Sequence, residues 1–328
     1  GHIPHASAQA LTGIGLCLPI ITIITAFANL FGMGGAPLCS IARGGHEEKR
    51  AEKVMGNSFT MLLLSGAVLM LACFLFKEPL LYLFGASDAT YPYADEYITV
   101  YLCGTLFVMT SLGMNNFINA QGFGRMGMLT VLLGAVLNII LDPILIFGFG
   151  MGVRGAAIAT VISQGASALW VLQFLTGKRA LLRLTKSAMR LEAGLVKEIT
   201  LLGTSGFVMS VTNGTVQIVC NAVLSRHGGD LYVGIMTVIN SVREIITMPV
   251  TGLTSGAQPV IGYNYGAGCY GRVRSAIKFM SIGCIVFSLA VWAVLFFEPR
   301  FFLHLFTQEK ELIEAGTPAM RIYFCGIF

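Results

Sequence analysis

The stretch GGAPLCSIARGG at residues 34–45 returns as GAQPVIGYNYGA at residues 256–267, an offset of 222 residues. Further landmarks repeat in the same order at nearly the same offset: Arg50 and Arg272, Glu78-Pro79 and Glu298-Pro299, and Tyr101-x-Cys103-Gly104 and Tyr323-x-Cys325-Gly326. The Glu-Pro pairs are two residues out of step, so one loop differs slightly in length. A repeat this long in an apolar chain predicts a membrane protein built from two similar halves, as many transporters are.

The composition is typical of a protein embedded in a bilayer. Hydrophobic residues make up 55% of the 328 residues and charged residues only 11%, which leaves too little polar surface for a soluble protein of this length. Nine apolar runs are long enough to span as helices: 13–41, 54–76, 97–119, 127–149, 155–176, 198–224, 231–262, 275–297 and 312–328. Nine such runs in succession disfavour buried helices of a soluble core. We therefore predict an all-α polytopic membrane protein.

The distribution of basic residues predicts the orientation of the chain. Alternate loops at 42–53, 120–126, 177–197 and 263–278 carry most of the Lys and Arg, whereas the opposite loops hold most of the acidic residues. By the positive-inside rule, the first set is cytoplasmic. The net charge of +5 is therefore mainly an orientation signal and requires no nucleic-acid partner. The basic stretch 178–190 is suited to contact anionic lipid headgroups.

The repeat also predicts what the chain lacks. Shifted back by the offset, the run at 198–224 falls before Gly1; shifted forward, the runs at 127–149 and 155–176 fall beyond Phe328. We expect a parent with two six-helix bundles, twelve helices in all, whose first and last two helices are absent here. The predicted parts are an N-terminal bundle, a cytoplasmic linker and a truncated C-terminal bundle, at 1–176, 177–197 and 198–328.

One cluster of polar residues lies inside the predicted spans of the first half. Asp142 lies in the middle of a span, where an unpaired carboxylate is costly and is by default a functional candidate. Asn138 lies one helical turn earlier on the same face, and Pro143 frees backbone carbonyls beside the carboxylate. Thr160 and Gln164, four residues apart on the next span, present further oxygens. This set suits Na⁺ or a proton-binding carboxyl, while a purely structural Asp bonded to Asn138 is the alternative.

The second half carries its own intramembrane charges. Asn240, Arg243 and Glu244 fall within one turn of the predicted span 231–262, and the repeat aligns Glu244 with the neutral Thr22. Glu244 is a candidate for titration or for attracting a cationic substrate. An ion pair with Arg243 or an interfacial position explains it equally well. We include Gln164, Asn240 and Glu244 as candidate residues of a substrate cavity.

Three motifs in order resemble the multidrug and toxic compound extrusion (MATE) family of secondary transporters: INAQGFGRMGM at 118–128, NIILDPILIFGFGMGVRGAAIATVISQ at 138–164 and GAQPVIGYNYGAG at 256–268. The resemblance covers essentially the whole chain. It implies twelve helices in two bundles around a central cavity that opens alternately to either side. It also implies a cation site formed by an intramembrane Asp, the Asn one turn before it and a Thr on the following helix, which are Asp142, Asn138 and Thr160 here.

These expectations define one function and two alternatives. We expect a monomeric plasma-membrane protein, in a prokaryotic inner membrane, that exports amphipathic organic cations or drugs in exchange for Na⁺ or H⁺, with no other cofactor. A flippase for a lipid-linked oligosaccharide shares the architecture, but its cavity is expected to carry several basic residues for an anionic head group. An intramembrane aspartyl protease needs two converging carboxylates, and no second Asp accompanies Asp142.

Other apparent motifs carry little weight. GFGRMG at 122–127 fits the dinucleotide-binding pattern but follows no strand, so it predicts a tight turn. The five His residues are scattered, and the eight Cys residues include no C-x-x-C pair. We therefore expect neither a metal site nor disulfides.

Overall fold

The computed structural model describes residues 7–306 and 310–325. These residues contain no β-strand and form ten α-helices: α1 Ser7–Gly44, α2 Glu48–Leu83, α3 Tyr91–Cys103, α4 Thr105–Ala120, α5 Gly124–Pro143, α6 Gly152–Thr176, α7 Ala193–Gly266, α8 Tyr270–Phe297, α9 Pro299–Phe306 and α10 Lys310–Cys325. A π-helical turn, Ile144–Gly148, follows α5. The predicted all-α fold is confirmed. The last residues of the predicted span 312–328 lie outside the described residues.

Six of the described helices are long and apolar enough to cross a membrane, or seven if the bent pair α3 and α4 counts as one span. Helix α2 shows how such a helix divides its surface. Leu64, Val68, Leu71 and Leu75 lie on one face and are between 50% and 69% exposed, whereas Leu62 is fully buried. Large apolar side chains that avoid the protein interior along a whole helix face are stable only against lipid. The chain is therefore a multi-pass membrane protein.

The predicted span at 97–119 is not one continuous helix but two helices that meet at Gly104 with a bend of 57°. The bend brings this backbone against α6, where a Cβ atom added to Gly104 would lie 2.6 Å from Cγ2 of Val161. Only glycine fits so close an approach. The sequence predicted no bend here, because its cause is a tertiary contact that the hydrophobic pattern does not contain.

The two predicted spans at 198–224 and 231–262 belong to one helical segment, α7. A straight helix would separate Ile199 from Tyr263 by roughly 96 Å. Both residues nevertheless lie against α1, beside Gly34 and Gly44, which are roughly 15 Å apart along that helix. Helix α7 therefore turns back on itself, as two antiparallel spans would.

The described chain divides into two compact units. The first comprises Gly1–Thr212 together with Gly262–Gly268, and the second comprises Asn213–Ile261 and Cys269–Phe328. Each has its own apolar core: the first is built around Leu62, Met109 and Phe117, and the second around Ile239 and Leu303 among others. The predicted division at 177–197 stays a prediction.

Candidate functional site

The polar residues predicted in the first half lie where α5 ends. Asn138 Nδ2 donates a hydrogen bond to Asp142 Oδ1 at 3.3 Å, as expected for residues one turn apart on the same face. Helix α5 ends at Pro143, and the chain continues as the π-helical turn Ile144–Gly148. Because Pro143 has no N–H, the regular bonding pattern breaks beside the Asp142 carboxylate, as the sequence predicted.

Asn138, Thr160 and Gln164 line one cavity of about 270 Å³ between α4, α5 and α6. Asp142 lies one turn from it along α5 and is linked to it through Asn138. The polar lining continues beyond the predicted residues with Ser111, Asn115, Thr130, Ser163 and Ser167. The structure thus brings together the four residues predicted in the first half, and the cavity beside them has further polar residues in its lining.

Three hydroxyl groups in the cavity lining, those of Thr160, Thr130 and Ser167, donate their hydrogens to backbone carbonyls. Thr160 donates to the carbonyl oxygen of Ala156 at 3.0 Å, and Thr130 donates to that of Met126 at 3.1 Å. Ser167 donates to the carbonyl oxygen of Thr130 at 3.1 Å. Since each hydroxyl hydrogen is used in this way, the lone pairs of these oxygens remain for a ligand.

Two amide side chains and two serines complete the polar lining. Ser111 donates to Gln164 Oε1 at 2.6 Å. Asn115 Nδ2 donates to the carbonyl oxygen of Gly127, which leaves its buried Oδ1 without a donor in the described chain. Ser163 is 2% exposed, and its hydroxyl has no partner among the described residues. The cavity is therefore rich in oxygen acceptors and suits a cation or water molecules that solvate one.

Sequence reasoning missed Tyr97 of α3. Its side chain is 8% exposed and lies within interaction range of both Thr160 and Asp142. It stacks on Tyr101, with ring centroids 6.1 Å apart. An aromatic residue in an apolar run resembles an ordinary core residue. Nothing in the sequence around Tyr97 indicated that it lies at this site.

The candidates of the second half lie in the second unit. Asn240 is buried, at 8% exposure, whereas Glu244 is exposed and lines a separate cavity of about 290 Å³ with Thr247, Thr251 and Ser255. Neither Glu244 nor Arg243 forms an ion pair with any residue in the described part of the chain. The ion pair between Glu244 and Arg243, one of the two structural explanations for Glu244, is therefore not seen among the described residues.

Comparisons with known proteins agree on one family. The sequence profile described as MatE matches residues 2–144 and 207–328. The multidrug export protein MepA of Staphylococcus aureus (strain MSSA476) is 29% identical over 319 residues, 96% of this chain and 69% of the relative. MepA of Staphylococcus haemolyticus (strain JCSC1435) is 27% identical over 318 residues, 96% of this chain and 70% of the relative.

A solved structure has the same fold and a higher identity. The MATE multidrug transporter DinF-BH, solved in complex with a ligand, is 35% identical to this chain, with a TM-score of 0.89. The match covers 97% of this chain and 71% of that protein.

Proposed function

This chain belongs to the MatE family of membrane transporters, and we propose that it exports amphipathic organic cations or drugs in exchange for Na⁺ or H⁺ by alternating access. The names of its relatives support the direction and the substrate class. MepA is a multidrug export protein, and DinF-BH is a multidrug transporter. The substrate is a small molecule, and the protein acts within the bilayer as a transporter, not as an enzyme.

The coupling step that we propose occurs at Asp142, Asn138 and Thr160. One observation carries this assignment: the hydroxyl groups of Thr160, Thr130 and Ser167 in the cavity lining donate their hydrogens to backbone carbonyls, so the lone pairs of these three oxygens remain for a ligand. A cation that binds there is attracted by the Asp142 carboxylate and replaces part of its water shell with neutral oxygens. Its binding shifts the equilibrium between outward-open and inward-open states in proportion to its difference in affinity for the two.

Asn240 and Glu244 belong to the same proposal as candidate substrate contacts. Glu244 is an exposed carboxylate beside a cavity with three hydroxyl-bearing side chains. A monovalent organic cation would be attracted by this charge, and the hydroxyl oxygens would accept its hydrogen bonds.

The test is transport of a fluorescent monovalent organic cation by the protein in liposomes. Asp142→Asn removes the charge and keeps the size, so we expect export driven by an ion gradient to be lost while the protein remains folded. Asp88→Asn is the matched control, because Asp88 is an exposed loop carboxylate bonded to Tyr82 at 3.2 Å and its loss leaves the cavity intact.

Two results would overturn the proposal. Gradient-driven export by Asp142→Asn at the rate of the unaltered protein would remove Asp142 from the coupling step. Transport of an anionic lipid-linked sugar, with no transport of the organic cation, would replace drug export by the flippase function.

A further inference from the structure

A second cavity, of about 450 Å³, lies at the end of α6 and is separate from the cation site. Its lining combines an indole, a primary amide, two cations and apolar side chains: Met126, Trp170, Gln173, Phe174, Gly177, Lys178 and Arg179. No acidic residue belongs to this lining. The cavity therefore has the electrostatic character of an anion site.

Its two cations are free, unlike others on the same side of the protein. Arg50 pairs with Glu198 at 3.1 Å, and Lys53 pairs with Glu192 at 2.7 Å. Lys178 and Arg179 are exposed and have no acidic partner among the described residues. Both charges are available to a ligand.

The indole of Trp170, which contributes to the lining, carries a hydrogen-bond donor without a partner among the described residues. The Trp170 Nε1 atom is buried and has no acceptor in the described chain. An indole N–H can only donate, so a buried one without an acceptor is unfavourable. A ligand that brings acceptor oxygens to this cavity neutralises Lys178 and Arg179 together.

The frame around the two cations is fixed by hydrogen bonds. The Leu184 N–H donates to the carbonyl oxygen of Leu175 at 2.9 Å, and the Leu182 N–H donates to Gln121 Oε1 at 2.9 Å. Ala180 and Leu182 are buried. These contacts hold the backbone that follows α6 in place. Lys178 and Arg179 therefore extend from an ordered segment.

The position in the membrane favours one kind of ligand. Trp170 lies six residues before the end of α6, roughly 9 Å along the helix, and the loop that follows belongs to the basic set that the positive-inside rule places in the cytoplasm. Tryptophan is enriched at this interfacial depth. Phe174 and Met126 add an apolar wall that suits a glycerol backbone and the start of an acyl chain.

From these observations we infer that this cavity binds the phosphate of an anionic phospholipid in the cytoplasmic leaflet. Basic pockets at the cytoplasmic ends of spanning helices are suited to such headgroups. The phosphate oxygens pair with Lys178 and Arg179, while the Trp170 ring and the apolar wall contact the lipid body. Free phosphate has the same oxygens but gains nothing from that wall.

The fluorescence of Trp170 can be used to measure lipid binding at this cavity. The chain has two tryptophans, so Trp292→Phe leaves Trp170 as the sole indole fluorophore. The protein is reconstituted in vesicles of phosphatidylcholine that contain increasing fractions of brominated phosphatidylglycerol or, in a parallel series, of brominated phosphatidylcholine. We expect half-maximal quenching of Trp170 at about a tenfold lower fraction of the anionic lipid, given two cations near the surface.

Lys178→Gln with Arg179→Gln should abolish this difference between the two lipids. Lys186→Gln with Arg190→Gln removes the same charge from exposed positions of the same basic stretch that do not line the cavity, and should preserve it. Equal quenching by both lipids in the unaltered cavity, or an equal loss in the two double variants, would overturn the inference. Release of quenching by millimolar inorganic phosphate, but not by chloride at matched ionic strength, would assign the cavity to free phosphate and would also overturn it.

Discussion

Substitutions at Thr160 and Asn138 distinguish the two coupling ions that we propose for Asp142. The Thr160 hydroxyl donates to Ala156 and keeps its lone pairs, while Asn138 uses its amide N–H on Asp142 and keeps its carbonyl oxygen. A proton needs the carboxylate and one hydrogen-bond partner. Sodium needs several oxygens at once, which this cavity supplies. We therefore favour Na⁺ as the coupling ion.

If Na⁺ is the coupling ion, Asn138→Ala and Thr160→Ala should each weaken the Na⁺ dependence of transport, because each removes one oxygen from the shell. If H⁺ is the coupling ion, Thr160→Ala should have little effect, and Asn138→Ala should mainly move the pH optimum. The measurement is flux into liposomes under a Na⁺ gradient at equal pH, and separately under a pH gradient without Na⁺. Robust flux under the pH gradient alone would reverse the preference for Na⁺.

At the scale of the helices, the bend between α3 and α4 depends on the absence of a side chain at Gly104. A Cβ there would lie 2.6 Å and 3.0 Å from the two methyl groups of Val161. We expect Gly104→Ala to cost about 1–3 kcal/mol of stability, as other overpacked sites do. Adding Val161→Ala should recover part of this loss, because it removes those methyl groups.

Thermal unfolding of the single and double variants in detergent measures this coupling. Gly165→Ala, inside α6, is the control. Its added Cβ would lie 3.7 Å from Phe107, an ordinary contact, so its effect should be small or stabilising. A double variant no more stable than Gly104→Ala alone would show that Val161 does not limit the bend.

The same helices show what the sequence could and could not predict. The spans and the polar face of Asn138 and Asp142 were predictable, because helical periodicity and the cost of a carboxylate in lipid are local properties. The bend at Gly104 was not, since it depends on Val161, which lies far along the chain on another helix. The inclusion of Tyr97 in the site depends likewise on the approach of α3 to α6, and a tyrosine in an apolar run carries no sign of that neighbour.

At the scale of the whole molecule, the repeat seen in the sequence reappears as a contact within the first unit. Gly44 and Gly266, which are related by the repeat, pack against one another's helix. A Cβ on Gly44 would collide with the carbonyl oxygen of Tyr263, and one on Gly266 would collide with that of Ile41. Ile41 and Tyr263 are themselves related by the repeat, so the contact is reciprocal, as at an interface with twofold symmetry.

This contact has consequences for transport. It lies at the ends of α1 and α7 that the positive-inside rule assigns to the cytoplasm, and Arg43 reinforces it by lying over the ring of Tyr263, 5.6 Å from its centroid. An exporter that works by alternating access must admit its substrate from the cytoplasm. We therefore expect the ends of α1 and α7 to separate in each cycle.

A disulfide across the contact tests this expectation. The Cβ of Ser40 lies 2.8 Å from the position that a Cβ at Gly262 would occupy, so a shift of about 1 Å gives disulfide geometry. Oxidation of Ser40→Cys with Gly262→Cys should stop export in liposomes, and a reductant should restore it. Each single cysteine variant, treated with the same oxidant, controls for reaction at the native cysteines. Export by the fully cross-linked protein at its reduced rate would mean that these repeat-related ends stay together throughout the cycle, and that the substrate enters by another route.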